Sequence, residues 1–202
     1  MTPSQSPADI LWLDTAESTN RYLKERSEAC DNLSVVAAVE QTAGRGQGTR
    51  TWHSKKGQNL TFSLIFKPLQ LPATNILLIT CATTLGLLDY LGEKGVKGRI
   101  KWPNDIWVGD RKICGILIEN LLDGALVRHS IIGIGFNLNQ DSWPEDLPNP
   151  VSLKELTGQE YELKRELVLL TEKIRRRLAC IGTRDGESAL QEEFGKNVFR
   201  LS

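Results

Sequence analysis

Apolar and polar positions follow two rhythms along this chain. Val35-Val36-Ala37-Ala38-Val39 is a short apolar run rich in β-branched residues, which predicts a buried strand. Leu60, Phe62, Leu64 and Phe66 alternate with Thr61, Ser63 and Ile65, a period of two that predicts another. From Ile106 the pattern predicts an antiparallel meander. Ile106-Trp107-Val108 runs into a Gly109-Asp110 turn, Lys112 to Glu119 continues, and Asp123-Gly124 turns the chain into Ala125 to Phe136. Helical spacing frames these strands. Ser18-Thr19-Asn20 precedes Arg21 to Glu28, and a hydroxyl or amide there can accept orphan backbone N–H bonds, so the triplet reads as an N-cap. Residues 74–92 predict a mostly buried helix ending near Gly92. Leu163, Leu167, Leu170, Ile174, Leu178 and Ile181 recur every three or four positions with charges between them. Glu187 to Ser202 predicts a polar helix with an apolar tip at Val198-Phe199, and residues 1–9, with Pro3 and Pro7, a loose tail. Strands framed by helices without strict βαβ alternation give an α+β fold.

Length and charge narrow the picture. The chain has 202 residues, so one domain is expected at ~150 residues per domain. Lys+Arg and Asp+Glu both number 25, a formal net charge of zero, which argues against a bulk nucleic-acid coat. Cys30, Cys81, Cys114 and Cys180 form no CxxC pair and accompany only His53 and His129, so no structural metal is expected. Free thiols suit a cytoplasmic protein. No basic segment followed by an apolar run marks a signal peptide. The apolar stretch around Ile76 to Leu91 is broken by Thr, Cys, Gly and Asp, so no membrane association is expected.

Four segments carry candidate chemistry. In Gln41-Thr42-Ala43-Gly44-Arg45-Gly46-Gln47-Gly48-Thr49-Arg50, three glycines in five residues let the backbone turn and expose N–H groups, and two arginines add fork-shaped donors. That suits an anion, or else a solvated surface loop. It is neither a Walker loop nor a dinucleotide fingerprint. Trp52, just beyond, fits either a stacking wall or a core position. In Lys101-Trp102-Pro103-Asn104-Asp105, the Trp-Pro step reads as extended. Asn104 and Asp105 there make a turn, or aim an amide and a carboxylate into a site where the latter would hold Mg²⁺. Arg111-Lys112-Ile113-Cys114-Gly115 places a base at a strand start and a glycine inside it, a mark of close approach. Gly133 and Gly135 leave one strand face bare, for a packed helix or for a ligand.

These motifs in this order, with Ser18-Thr19-Asn20 upstream and Glu119 and Asn137 closing the third and fourth, resemble the biotin protein ligases over about residues 10–200. The resemblance implies a single catalytic domain over residues 1–202 with helices from 161 onward, built on a mixed, largely antiparallel sheet flanked by helices. It implies neither the N-terminal DNA-binding domain nor the C-terminal small barrel that some members carry. The implied reaction joins biotin and ATP into biotinyl-5′-AMP and pyrophosphate, with Mg²⁺, then moves biotin onto a lysine of a biotin carboxyl carrier protein of a biotin-dependent carboxylase. DNA is not an expected partner, and the sheet's edge strands would serve a homodimer. Lys112 and Arg45 carry the implied catalytic roles. Biotin contacts fall to Ser18, Thr19, Asn20, Gln41, Gly44, Arg45, Gly46, Gln47, Lys112 and Gly115. ATP contacts fall to Arg50, Trp52, Asn104, Lys112 and Asn137, and Mg²⁺ to Asp105. The chain departs from the family loop at Gln47, where an arginine is usual, and at Thr49, where a glycine is. Two rivals stand beside this reading: a lipoate or octanoate ligase of the related fold, and a biotin-binding protein without ligase activity.

Overall fold

The computed structural model describes residues 10–145 and 147–199; the tail at 1–9 and the last three residues lie outside them. Eight strands form one sheet in the order β1-β2-β3-β7-β6-β5-β4-β8. They are β1 (Ile10–Ala16), β2 (Val35–Gln41), β3 (Leu60–Phe66), β4 (Arg99–Lys101), β5 (Asp105–Val108), β6 (Arg111–Asp123), β7 (Leu126–Phe136) and β8 (Val198–Phe199). The β1·β2 and β4·β8 pairs at the two edges are parallel and every pair between them is antiparallel. This is the mixed, largely antiparallel sheet expected.

The α-helices are α1 (Thr19–Arg26), α2 (Leu77–Glu93), α3 (Leu153–Thr157), α4 (Leu163–Leu178) and α5 (Arg184–Asn197). By length and composition alone the run Ala73–Glu93 is long and apolar enough to cross a bilayer. Here it is mostly buried, packing its residues between the sheet and α4. A helix apolar all round belongs in a core. Arg177 of α4 fixes the layer by two 2.7 Å bonds to Asp89 of α2 and two more to Glu193 of α5. The other sheet face carries α1, whose Leu23 packs on Val36, Ile65 and Ile131.

Several expectations are corrected. Ser18 sits at the N-cap of α1 but its side chain makes no capping bond. The last helix starts at Arg184, and Val198-Phe199 is not its tip but a strand paired with Ile100 and Lys101. Burial on β3 does not alternate, because every residue from Leu60 to Phe66 is buried. Phe62 and Leu64 face α2, whereas Ile65 faces α1. The Trp102–Asn104 segment is a turn with a cis Trp102–Pro103 peptide, not an extended step.

Candidate active site

A cavity of about 410 Å³ opens on the α1 face of the sheet. Its floor is β6 and β7, where Gly115 stands opposite Gly135. The glycines give space to side chains from elsewhere. A Cβ on Gly135 would lie 2.1 Å from Cε2 of Trp52, and one on Gly115 would lie 2.8 Å from Cζ3 of the same ring. The indole therefore lies against the bare strands. A Cβ on Gly133 would meet Asn20 Oδ1 at 2.2 Å. The bare face of β7 thus receives a helix residue at Gly133 and an aromatic wall at Gly135. The room expected for a ligand at Gly115 is taken by Trp52 and by Lys112, whose Nζ is 3.2 Å from the same Cβ position.

Lys112 reaches the cavity because β6 carries a bulge. Opposite β5, Cys114 pairs with Ile106 but Lys112 pairs with Trp107, leaving Ile113 as an extra residue. In a regular strand, Lys112 and Gly115 would point to opposite faces. The bulge turns Lys112 onto the face of Gly115, a common way of re-aiming a side chain beside a site. Its backbone is held on three sides. Its N–H donates to Asn149 O (2.7 Å), and its C=O accepts from Val151 N (3.0 Å) and from Asn137 Nδ2 (3.3 Å). Its ammonium lies 2.9 Å from Asp105 Oδ1.

The glycine loop folds back on itself. Trp52 N–H donates to Gly44 O (3.0 Å), Gly46 N–H to Arg50 O (2.7 Å), and Gly48 takes the left-handed φ of +61° that the turn requires. Of the three loop glycines, Gly46 spends its N–H inside the loop. The loop delivers side chains to the rim. Arg45 is tied to Glu119 of β6 (2.9 Å), and Arg50 forms no ion pair among the described residues. The far end of the cavity is polar and neutral. Gln41 Oε1 accepts from Thr19 N–H at 2.8 Å and stands 3.1 Å from Thr19 Oγ1.

Of the expected site residues, Ser18, Thr19, Asn20, Gln41, Arg45, Gly46, Gln47, Arg50, Trp52, Asn104, Asp105, Lys112 and Gly115 all line the cavity. Gly44 and Asn137 do not. Gly44 is packed beneath Trp52, where a Cβ would meet the Trp52 carbonyl at 2.6 Å. Asn137 is buried and bonds the carbonyls of Lys112 and Val151. Asn104, also lining, spends its amide on the Ile116 carbonyl. The sequence missed Phe62, which nothing local marks, while Ile134 and Glu119 lay inside motifs already singled out without being given a role. Lys101 and Trp102 also line the cavity, and lay inside a motif already singled out. Among the described residues no three His, Cys, Asp or Glu side chains gather to hold a metal ion. Asp105 alone matches the way Mg²⁺ is commonly held, by one or two carboxylates and the substrate's own phosphates.

Comparison with known proteins agrees with this geometry. The model of the biotin/lipoate A/B protein ligase family matches residues 12–137. The bifunctional ligase/repressor BirA of Bacillus spizizenii is 35% identical over 158 residues, 76% of this chain and 48% of that protein. The chain thus spans about half the length of such relatives. The biotin–[acetyl-CoA-carboxylase] ligase of Paracoccus denitrificans is 31% identical over 165 residues, 78% of this chain and 68% of that one. The Aquifex aeolicus biotin protein ligase, solved in complex with biotin and ATP, superposes with a TM-score of 0.83 at 27% identity, covering 95% of this chain and 78% of that structure. With the family model spanning more than half of its length, and a relative 31% identical over 165 residues, the chain belongs to the biotin/lipoate A/B protein ligase family.

Proposed function

We propose that this chain activates biotin with ATP and transfers the biotinyl group to a lysine of a biotin carboxyl carrier protein. The observation that carries the reading is one cavity with a neutral polar end at Thr19 and Gln41 and a cationic middle at Lys112. A biotin carboxylate oxygen attacks the α-phosphorus of ATP. The bond from that phosphorus to the bridging oxygen breaks, and pyrophosphate leaves with the electron pair. The acceptor lysine's neutral amine then attacks the acyl carbon, AMP leaves, and the nitrogen releases a proton.

Each step suits particular residues. Carboxylate and phosphate repel, and Lys112 supplies the cation between them, aimed by the bulge and steadied by Asp105. Arg45 and Arg50 stand at the rim, where charge grows on the phosphate oxygens. Trp52 offers a flat wall for adenine. Its Nε1 is buried without a hydrogen-bond partner among the described residues, which leaves a donor for the base. Asp105 would hold Mg²⁺ together with the nucleotide phosphates, and the ion would supply further charge neutralisation. The acceptor follows from the Paracoccus relative, whose name gives acetyl-CoA carboxylase as its substrate. Four free thiols suit the cytoplasm.

Lipoate and octanoate end in groups that would leave Thr19 and Gln41 unsatisfied, which favours biotin. The test is single-turnover pyrophosphate release with biotin, lipoate or octanoate, followed by label transfer from radioactive biotin to a carrier domain. Biotin should be preferred by at least 10²-fold. Equal turnover of octanoate would overturn the assignment, and biotin binding without pyrophosphate would favour the non-catalytic reading.

A further inference from the structure

Beneath the polar end of the cavity lies Ser63, fully buried on β3. Its hydroxyl oxygen stands 2.6 Å from Asn20 Oδ1 and 2.7 Å from Thr19 Oγ1. We infer that Ser63 is a positioning residue for substrate specificity, which sets the donor and acceptor pattern that the cavity shows to the ring of the acid. The inference rests on the proposed function and deepens it.

Proton counting gives the direction. Asn20 Nδ2 faces Leu117 O (3.3 Å) and Glu119 Oε2 (2.9 Å), both acceptors, so Asn20 Oδ1 faces Ser63 and takes a proton from it. A serine hydroxyl has one proton. Two oxygens 2.7 Å apart need a proton between them, so the Thr19 hydroxyl donates down to Ser63 rather than to Gln41 Oε1 at 3.1 Å. Thr19 Oγ1 is left with lone pairs toward the cavity. At Gln41, the Thr19 backbone N–H fixes Oε1 inward, which turns Nε2 outward as a donor. An acceptor and a donor thus stand side by side. They fit a ligand group with adjacent N–H and C=O, as a cyclic urea has, and leave an alkyl or disulfide ring unmatched. Asn20 is fully spent inside the chain, so it anchors the pattern and does not contact the acid. Glu119 ends the chain of bonds. It takes Asn20 and Arg45 on the same oxygen, so the polar end and the glycine loop share one anchor.

Ser63→Ala tests this. It strips Asn20 Oδ1 of its donor and frees the Thr19 hydroxyl to rotate. The KM for biotin should rise about tenfold, the scale of one lost hydrogen bond. The kcat at saturation and the KM for ATP should stay within twofold, a split that a merely structural role would not produce. Unchanged biotin KM overturns the inference. So does a loss in which kcat and both KM values worsen together, which would make Ser63 a residue of the fold. Failure of the proposed function is visible separately, because the unmodified chain would then release no pyrophosphate with biotin, and the inference would fall with it.

Discussion

Replacing Lys112 by methionine should stop activation while leaving the fold in place. The ammonium lies 2.9 Å from Asp105 Oδ1, with side-chain exposures of 29% and 20%. A pair this wet contributes no more than about 1 kcal/mol to stability. The bonds from residue 112 to Asn149, Val151 and Asn137 use its backbone and survive the change. The melting temperature should therefore fall by only a few degrees. The chemical step loses far more. Two unit charges brought to ~4 Å repel by about 4 kcal/mol at an effective dielectric of 20, and the ammonium offsets that between carboxylate and phosphate. Part of the offset is spent in binding. The part made only in the transition state is comparable to one lost oxyanion donor, about 3–4 kcal/mol, or on the order of 10²–10³ in rate. Asp105, stripped of its partner, adds a like charge beside the reacting anions. The assay is pyrophosphate release at saturating biotin and ATP, with transfer from preformed biotinyl-5′-AMP measured in parallel. The first should collapse and the second lose much less. Lys112→Arg should rescue poorly, since a planar guanidinium cannot occupy the compact position of an ammonium. A methionine variant keeping more than a tenth of the activation rate would refute this role for Lys112.

Three further outcomes are expected. Gly135→Ala puts a methyl 2.1 Å from the Trp52 ring and must displace it. The melting temperature should drop by the equivalent of about 1–3 kcal/mol and the KM for ATP should rise more than that for biotin; wild-type values of both would mean that the ring has room to yield. Gln47→Arg should slow release of preformed biotinyl-5′-AMP about five- to tenfold, since a charged donor exceeds a neutral one by about 1 kcal/mol, and equal off-rates would show the charge to be supplied elsewhere. Burial holds His129 below its ordinary 6.5, against the opposing pull of Glu28 and with help from Lys67 and Arg128. The unfolded chain therefore binds the proton first as pH falls, so this contribution to stability is complete above about pH 6.5 and declines below it. Denaturant midpoints at pH 7.5 and 5.0 should differ less in His129→Gln than in the unmodified chain, and an equal difference would exclude His129 as a source.

The sequence made legible what is continuous along the chain. The glycine loop, the Lys112 strand and the strand–turn–strand meander each declare themselves within a dozen residues. What stayed hidden depends on pairing across the sheet. Strand β4 is three residues long and β8 two, too short for any period, and each is held by its neighbour. Strand β1 mixes burial along its length, because it lies at the edge. Ser63 reads locally as one more polar position on β3, and only the approach of α1 over Gly133 gives it partners. The resemblance sets Asn137 at the nucleotide, whereas the fold leaves it out of the cavity lining and bracing the carbonyl of Lys112.

The extra residue at Ile113 makes this site a matter of parity. Lys112 and Gly115 are three positions apart and share a face only because the bulge takes up one of them. Deleting Ile113 would remove the extra position and the bulge together, leaving the lysine and the glycine two apart on a regular strand and still on one face. Pairing the strand regularly with all four residues retained would instead turn the lysine toward the core under α2, in a protein with an intact inventory. Variation in this region is thus best judged by counting positions as well as comparing letters. A homologue one residue shorter at 113 can keep the chemistry on a regular strand, whereas one that retains every motif letter but loses the bulge has turned its lysine away.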